Sequence, residues 1–286
     1  VRKLLKVFRS RNFDRNTILV VFSDHGEGLG DHDERGHGIL IYETTMRVAF
    51  MVHVPESIAR SRKLIKPKAI PNLVELVDIV PTVLDLAGIK VPEGLDGRSL
   101  LPLLRGETLP PKVCYLESLY PHLAYNWSPL RGARFNQWKY ILAPEEELYD
   151  LSKDPGETTN LATTFPDRLA DLKRSLIDLV KRDVGVSSGK AIEADEAAKL
   201  KALGYVTPSR QASSVDIEPT GTDPKYIIGP FDRLMKTATD NLKQGNRQAA
   251  IAAYREILKL DPMNPIVHLY LGLSLIHISE PTRLGM

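Results

Sequence analysis

The fifteen residues from Asp24 to Gly38, DHGEGLGDHDERGHG, concentrate three of the chain's seven histidines, five acidic side chains and five glycines. Carboxylate and imidazole at such density are the donor set of a divalent cation. The glycines let the backbone turn tightly and approach a ligand closely. Asp24 and His25 follow directly on TILVVFS, Thr17 to Ser23, an apolar β-branched run that reads as a buried parallel strand. Open α/β sheets bind ligands at the C-terminal ends of such strands. Asp24 and His25 are therefore the candidate metal ligands, a carboxylate and an imidazole offered to one cation. Asp31, His32, Asp33, Glu34 and Arg35 read instead as a solvated loop tip. An EF-hand beginning at Asp31 fails, because its fifth position would be Arg35 and its twelfth Tyr42. No HExxH string supports a zinc protease.

The elements that must position this loop follow in order. Arg2 to Asp14 reads as the tail of a helix leading into the first strand, and Arg47 to Pro55 as a second core strand. LVDIVPTVLDLAG, Leu76 to Gly88, predicts a helix with Asp78 as N-cap, Pro81 in its first turn and Gly88 ending it. Val113 to Ser118 is a third strand. Trp138–Leu142 and Glu147–Leu151 flank a short turn and read as antiparallel partners. Phe165 to Lys181 predicts an amphipathic helix, with Leu169, Leu172, Leu176, Leu179 and Val180 on one face. From Thr207 to Thr222 the composition is that of a linker.

Beyond the linker the period changes. Phe231 to Asn264 spans 34 residues, the unit length of a tetratricopeptide repeat, with Gly245, Ala250, Tyr254 and Pro262 at its turn, packing, aromatic and closing positions. A second unit starts at Pro265. One such repeat cannot bury its own face, so more are expected in an intact protein.

At 286 residues the chain is long enough for a large domain and a small one. A net charge of +2 argues against a nucleic-acid partner, and no run approaches the roughly 18 apolar residues of a membrane span. The single Cys114 lies in an apolar run and reads as an inert buried thiol. Both ends read as artificial. Val1 opens inside a helix pattern, and residues 273–286 resemble translated sequencing adapter, so they are set aside from fold reasoning.

FSDHGEGLGDHDERGHGILIYETTMRVAF resembles the metal-binding block of the sulfatase branch of the alkaline phosphatase superfamily. LVDIVPTVLDLAGI with LDGRSLLPLLRGE, and then RGARFNQWKYI with ELYDLSKDPGETTNLA, resemble the blocks that come next in that family. The resemblance implies an α/β fold: the C-terminal part of an alkaline-phosphatase-like sulfatase domain with a small α+β subdomain over residues 1–185. A helix and linker would fill 186–224, and an all-α tetratricopeptide segment 225–272. It implies Asp24 and His25 as metal ligands. His37 falls near the family's sulfate-contacting lysine and would bind the ester or assist the leaving group, a catalytic role. Tyr42, Glu43 and Arg47 would brace the loop, with a Glu43–Arg47 pair if that stretch is helical. Calcium is the family's usual metal, while an imidazole ligand also suits manganese or zinc.

Two departures stand out. Arg47-Val48-Ala49 replaces Arg-Val-Pro. The chain reads as lacking both the Cys/Ser-x-Pro-x-Arg motif, whose first residue becomes formylglycine, and the early Asp-Asp pair. Both belong upstream in the family, so this chain alone is expected to be inactive and the longer parent to be a metal-dependent sulfuric ester hydrolase. The implied partners are a sulfate-ester substrate and a protein or peptide on the repeat, and the implied compartment is periplasmic or otherwise exported. Two other readings stay open. One is a phosphoryl or phosphonate ester hydrolase, or a phosphoethanolamine-type transferase, of the same superfamily. The other is an interaction scaffold with a degenerate enzyme domain.

Overall fold

The computed structural model describes residues 2–66, 69–183 and 218–279. They form two compact units, Val1–Gly26 with Arg47–Cys114 and Phe135–Gln137, and Glu27–Met46 with Tyr115–Arg134 and Trp138–Met286. This division differs from the expected boundaries at 185 and 225, since it cuts through the first region and places the C-terminal helices with the second unit.

In the first unit, helix α1 (Arg2–Ser10) and a 3-10 turn (Phe13–Arg15) lead into β1 (Leu19–Phe22), as the sequence implies. The strand is short and pairs antiparallel with β4 (Phe50–His53), with Leu19 opposite His53 and Phe22 opposite Phe50. The expected buried parallel strand is therefore corrected. Phe22 and Met51 keep 51% and 58% of their surface exposed, so this two-stranded ribbon is not enclosed by the unit it belongs to. Beyond it, α3 (Glu56–Ser61) precedes α4 (Ile79–Ala87). Pro81 is buried in the first turn of α4, and Gly88 closes it at φ 80°, a conformation open to glycine. Asp78 does not cap this helix with its side chain. Its carboxylate accepts the backbone N–H of Glu75 at 3.0 Å and of Arg98 at 2.8 Å, which ties the start of α4 to the loop before α5 (Leu101–Leu104).

The second unit is built on a four-stranded sheet in the order β5 (Cys114–Ser118), β6 (Leu130–Phe135), β7 (Trp138–Leu142) and β8 (Glu147–Asp150). β7 and β8 are antiparallel with Trp138 opposite Asp150, the hairpin the sequence implies. Cys114 is buried, as expected. Short α6 (Tyr120–Tyr125) links β5 to β6, and α7 (Pro166–Asp183) buries Leu172, Leu176 and Val180.

Three helices end the described chain: α8 (Pro224–Lys243), α9 (Arg247–Leu260) and α10 (Pro265–Ser279). Asp223 caps α8 by accepting Lys225 N–H, and Gly245 at φ 79° makes the turn into α9. Ala250 and Tyr254 of α9 are buried. The helices are not an appended module. Ile227, Ile228 and Phe231 of α8 share one apolar cluster with Ile39, Leu40, Ile41, Tyr42, Trp127 and Tyr149. Each such side chain is worth roughly 1.5–3 kcal/mol when fully buried, so this shared face joins α8 to the loop segment. Trp127 adds a hydrogen bond from Nε1 to Asp261 Oδ2 at 2.7 Å. The helix expected between 186 and 206 and most of the linker, to residue 217, lie outside the described residues, as do the last seven residues of the adapter-like tail.

Candidate functional site

β1 ends one residue before the metal-ligand candidates. Ser23 continues the ladder, its N–H donating to Ala49 O and its hydroxyl accepting Ala49 N–H, both at 3.0 Å. Asp24 then turns outward with 85% of its side chain exposed, and His25 is half-buried. Although Asp24 follows a run expected to be buried, the short ribbon leaves the strand end open at this residue. The two side chains are brought together: His25 Nε2 lies 3.6 Å from Asp24 Oδ1. His25 Nδ1 donates to Gly26 O at 2.6 Å, which places a proton on Nδ1 and leaves Nε2 as the atom that could meet a cation. A ring oriented through a backbone carbonyl, with Nε2 and a carboxylate oxygen a ligand–ligand distance apart, suits a shared divalent cation.

In the second unit, β2 (Gly28–Leu29) and β3 (Arg35–Gly36) form a small antiparallel hairpin with Gly28 opposite Gly36. A β-carbon at Gly28 would meet Glu34 O at 2.7 Å, so the two backbones can close only around glycine. Residues just outside the ladder meet across it: His37 Nδ1 donates to Glu27 Oε2 at 3.2 Å, with both side chains about half exposed. Glu27 belongs to the Asp-His-Gly-Glu block, but sequence reasoning gave it no role. Here it orients the imidazole by accepting its Nδ1 proton.

The expected solvated tip is corrected at two positions. Glu34 is buried, and its Oε1 accepts the backbone N–H of Ile39 at 3.0 Å and of Leu40 at 3.3 Å. Burial outweighs those hydrogen bonds and pushes its carboxyl up to about 7, with the Asp232 and Glu27 charges acting in the same direction. His32 stacks on Tyr42 with ring centroids 3.7 Å apart, and Nε2 bonds Gly156 O at 3.0 Å. Five-residue charge runs usually face water, but the apolar ILIY stretch that follows draws this one inward. The signal was the spacing from Glu34 to Ile39, a carboxylate within reach of two backbone donors.

Tyr42 and Glu43 brace the loop, by contacts other than those expected. Tyr42 donates to buried Glu147 at 2.7 Å, and burial beside that carboxylate raises the phenol far above its ordinary range. Helix α2 (Glu43–Met46) is a single turn and stops before Arg47, so no Glu43–Arg47 pair forms along it. Glu43 instead pairs with Arg134 at 2.6 Å and Lys139 at 3.4 Å.

With this geometry in place, likeness to known proteins becomes informative. Residues 30–182 match the family described as N-sulphoglucosamine sulphohydrolase, C-terminal. The chain belongs to this sulfatase family. A Delta 4,5-hexuronate-2-O-sulfatase of Bacteroides thetaiotaomicron is 33% identical over 211 residues, 72% of this chain and 43% of that protein. Arylsulfatase K of Homo sapiens is 33% identical over 180 residues, covering 58% of this chain and 31% of the relative. A solved 2-O GAG sulfatase superposes with a TM-score of 0.52 at 34% identity, over 62% of this chain and 39% of that one. The sulfatase chain described here thus spans less than half the length of these relatives. The mixed helix–sheet architecture agrees with the alkaline-phosphatase-like expectation. One sequence reading needs amending. The bare Ser-x-Pro-x-Arg pattern occurs once, at Ser279 to Arg283, within the tail set aside as adapter-like and on the opposite side of the Asp24–Gly38 loop from the family's nucleophile. Ser279 ends α10, and its remaining residues lie outside the described ones.

Proposed function

We propose that the polypeptide carrying this chain is a metal-dependent sulfuric ester hydrolase, and that this chain supplies the metal-side and leaving-group-side residues of its site. The observation that carries the reading is the Gly/His loop of a sulfatase-family chain, in which a carboxylate–imidazole pair closes β1 and Glu27 orients His37. Asp24 and His25 would hold the cation. When bound, a divalent cation polarises a sulfuryl oxygen and lowers the pKa of a nucleophile. Calcium, manganese and zinc all fit an imidazole–carboxylate donor pair to different degrees.

His37 carries the proton side of the chemistry. Its Nδ1 is committed to Glu27, so its exchange with an ester oxygen runs through Nε2. Placed at the departing oxygen, it hydrogen-bonds the ester in the ground state and gives up a proton as the S–O bond breaks. Glu27 holds the plane of the ring through the Nδ1 hydrogen bond before and after transfer. The nucleophile, a formylglycine by resemblance, would come from a part of the polypeptide upstream of this chain. The 33%-identical relative and the 34%-identical solved structure are named for 2-O-sulfates, and a 27%-identical structure for D-Glucosamine-2-N, 6-O-disulfate, so a 2-O-sulfated unsaturated hexuronate is the first carbohydrate substrate to try. Residues 225–272 would act as a tetratricopeptide docking segment for a peptide partner, and an exported location goes with the same reading. No described helix is long and apolar enough to cross a membrane.

The test measures sulfate release by the full-length polypeptide from an aryl sulfate and from the 2-O-sulfated hexuronate. Activity should vanish on chelation, return with calcium or manganese, and fall at least 100-fold in Asp24→Ala. Turnover of phosphate or phosphonate monoesters alone, or turnover indifferent to chelation and to Asp24→Ala, would refute it.

A further inference from the structure

Helix α8 holds a glycine where helices disfavour one. Gly229 sits in its second turn, and a glycine in a helix interior costs about 1 kcal/mol relative to alanine. Contact explains its presence: a β-carbon there would meet Cβ, Cγ and Oδ2 of Asp33 at 2.8–2.9 Å. Asp232 lies three residues on, hence on the same face of α8. The backbone N–H and the guanidinium charge of Arg35 both act on the Asp232 carboxylate, against the burial that raises it. Alongside, Ile228 and Phe231 bury in one cluster with Ile39 to Tyr42.

The loop side is arranged to be held. His32 and Asp33 both adopt left-handed backbone, φ 51° and 63°, which non-glycine residues keep only where surroundings enforce it. Arg35 begins β3, Gly36 pairs with Gly28, and the next residues outward are His37 and Glu27. Helix α8 therefore grips the hairpin at its turn, and the hairpin carries the imidazole–carboxylate pair at its open end.

We propose that Gly229 and Asp232 are positioning residues for the His37–Glu27 pair, so that the C-terminal helical segment sets the geometry of the ester site. This rests on the reading of His37 as the group that protonates the leaving oxygen. Gly229 supplies the close approach that seats Asp33, and Asp232 fixes the register of β3 through the Arg35 amide. Displacing either would swing His37 while leaving the β7–β8 hairpin intact.

The experiment uses the full-length polypeptide with Gly229→Ala, Asp232→Ala and Asp232→Asn. Amide hydrogen exchange should quicken severalfold or more over residues 27–40 in Gly229→Ala and Asp232→Ala, with residues 138–150 still protected. Asp232→Asn keeps an acceptor for the Arg35 amide and should restore wild-type protection. Turnover is compared on an aryl sulfate, whose leaving group departs without help, and on a sugar sulfate, which needs the proton. Both disrupting variants should lower kcat about 10-fold on the sugar sulfate and less than twofold on the aryl sulfate, with KM little changed. Unchanged exchange over 27–40, exchange raised equally across the unit, or equal losses on both esters would overturn the proposal. If no sulfate ester is turned over, the functional reading fails, and the exchange comparison with its Asn rescue alone decides whether α8 positions the loop.

Discussion

Lys139 Nζ lies 2.8 Å from Glu157 Oε1, and neither side chain exposes more than 1% of its surface. Lys139 stands in β7, while Glu157 sits in the turn after β8 with a left-handed backbone at φ 53°. The other Glu157 oxygen accepts the Glu43 N–H, and Glu43 in turn pairs with Arg134, so this ion network fixes the segment immediately after the ILIY stretch. Replacing one partner of a buried pair leaves the other charge without compensation, which costs about 3–5 kcal/mol. Lys139→Met should therefore lower the urea midpoint steeply, whereas an exposed-pair change such as Lys236→Met should not move it measurably. Equal small shifts in both variants would show that the buried pair contributes no more than a surface one.

Glu34 should give the fold an unusual pH dependence. Its carboxyl titrates at about 7 in the folded chain against 4.5 for the unfolded one, because burial together with the Asp232 and Glu27 charges disfavours ionisation. Below pH 4.5 the group is protonated in both states and its contribution is complete. Between 4.5 and 7 only the folded state keeps the proton, so stability from this group declines as pH rises through 7. The total is about 3 kcal/mol. Unfolding free energies of wild type and Glu34→Gln, taken at pH 5 and pH 8, should converge or cross by about 2–3 kcal/mol in favour of the variant at the higher pH. A difference that stays constant would place Glu34 in the ordinary carboxylate range.

How much of this was legible in the sequence follows from how locally each feature is specified. The β7–β8 hairpin, the Gly88 stop, the α7 face and the buried Cys114 depend on short-range pattern, and the structure agrees with them. The pairing of β1 was misread because TILVVFS has the composition of an enclosed parallel strand, and composition does not say which strand lies beside it. Glu34 and His32 were assigned to solvent because a charge run is ordinarily solvated. Their partners, the Ile39 and Leu40 amides, the Tyr42 ring and Gly156 O, come from turns that only the folded chain brings near. The grip of α8 on the loop was invisible for the same reason, although Gly229 inside an amphipathic helix was a readable oddity.

Gly97 is the corresponding fixed point of the first unit. A β-carbon there would fall 1.9 Å from Val77 O and 2.9 Å from Asp78 N, both backbone atoms that no rotamer change can move aside. The same approach lets Arg98 N–H reach Asp78 Oδ1 at 2.8 Å. Gly97→Ala must push the backbone apart and break that hydrogen bond, at a cost of about 3 kcal/mol when overpacking and the lost bond are taken together. Gly94→Ala is the control, since nothing lies within 4 Å of its added carbon. Its φ of 83° still carries roughly 1 kcal/mol of backbone strain, so the two variants should separate by about 2 kcal/mol in thermal or chemical denaturation. Equal losses would mean that the backbone at Val77 gives way at little cost and that this contact does not set the requirement for glycine.

The division of labour between Asp24 and His25 makes metal preference a diagnostic. Calcium takes oxygen ligands almost exclusively, whereas manganese and zinc accept imidazole. If both residues ligate, Asp24→Ala should weaken every divalent cation at least 10-fold in calorimetric titration of the full-length polypeptide. His25→Ala should weaken manganese and zinc by a similar factor and calcium much less. His25→Gln, which restores an oxygen donor in place of the ring nitrogen, should then recover calcium but not zinc. Cation affinities indifferent to His25 but sensitive to Asp24 would reduce the imidazole to a loop residue held by Gly26 O. Affinities indifferent to both would remove the cation from this strand end altogether.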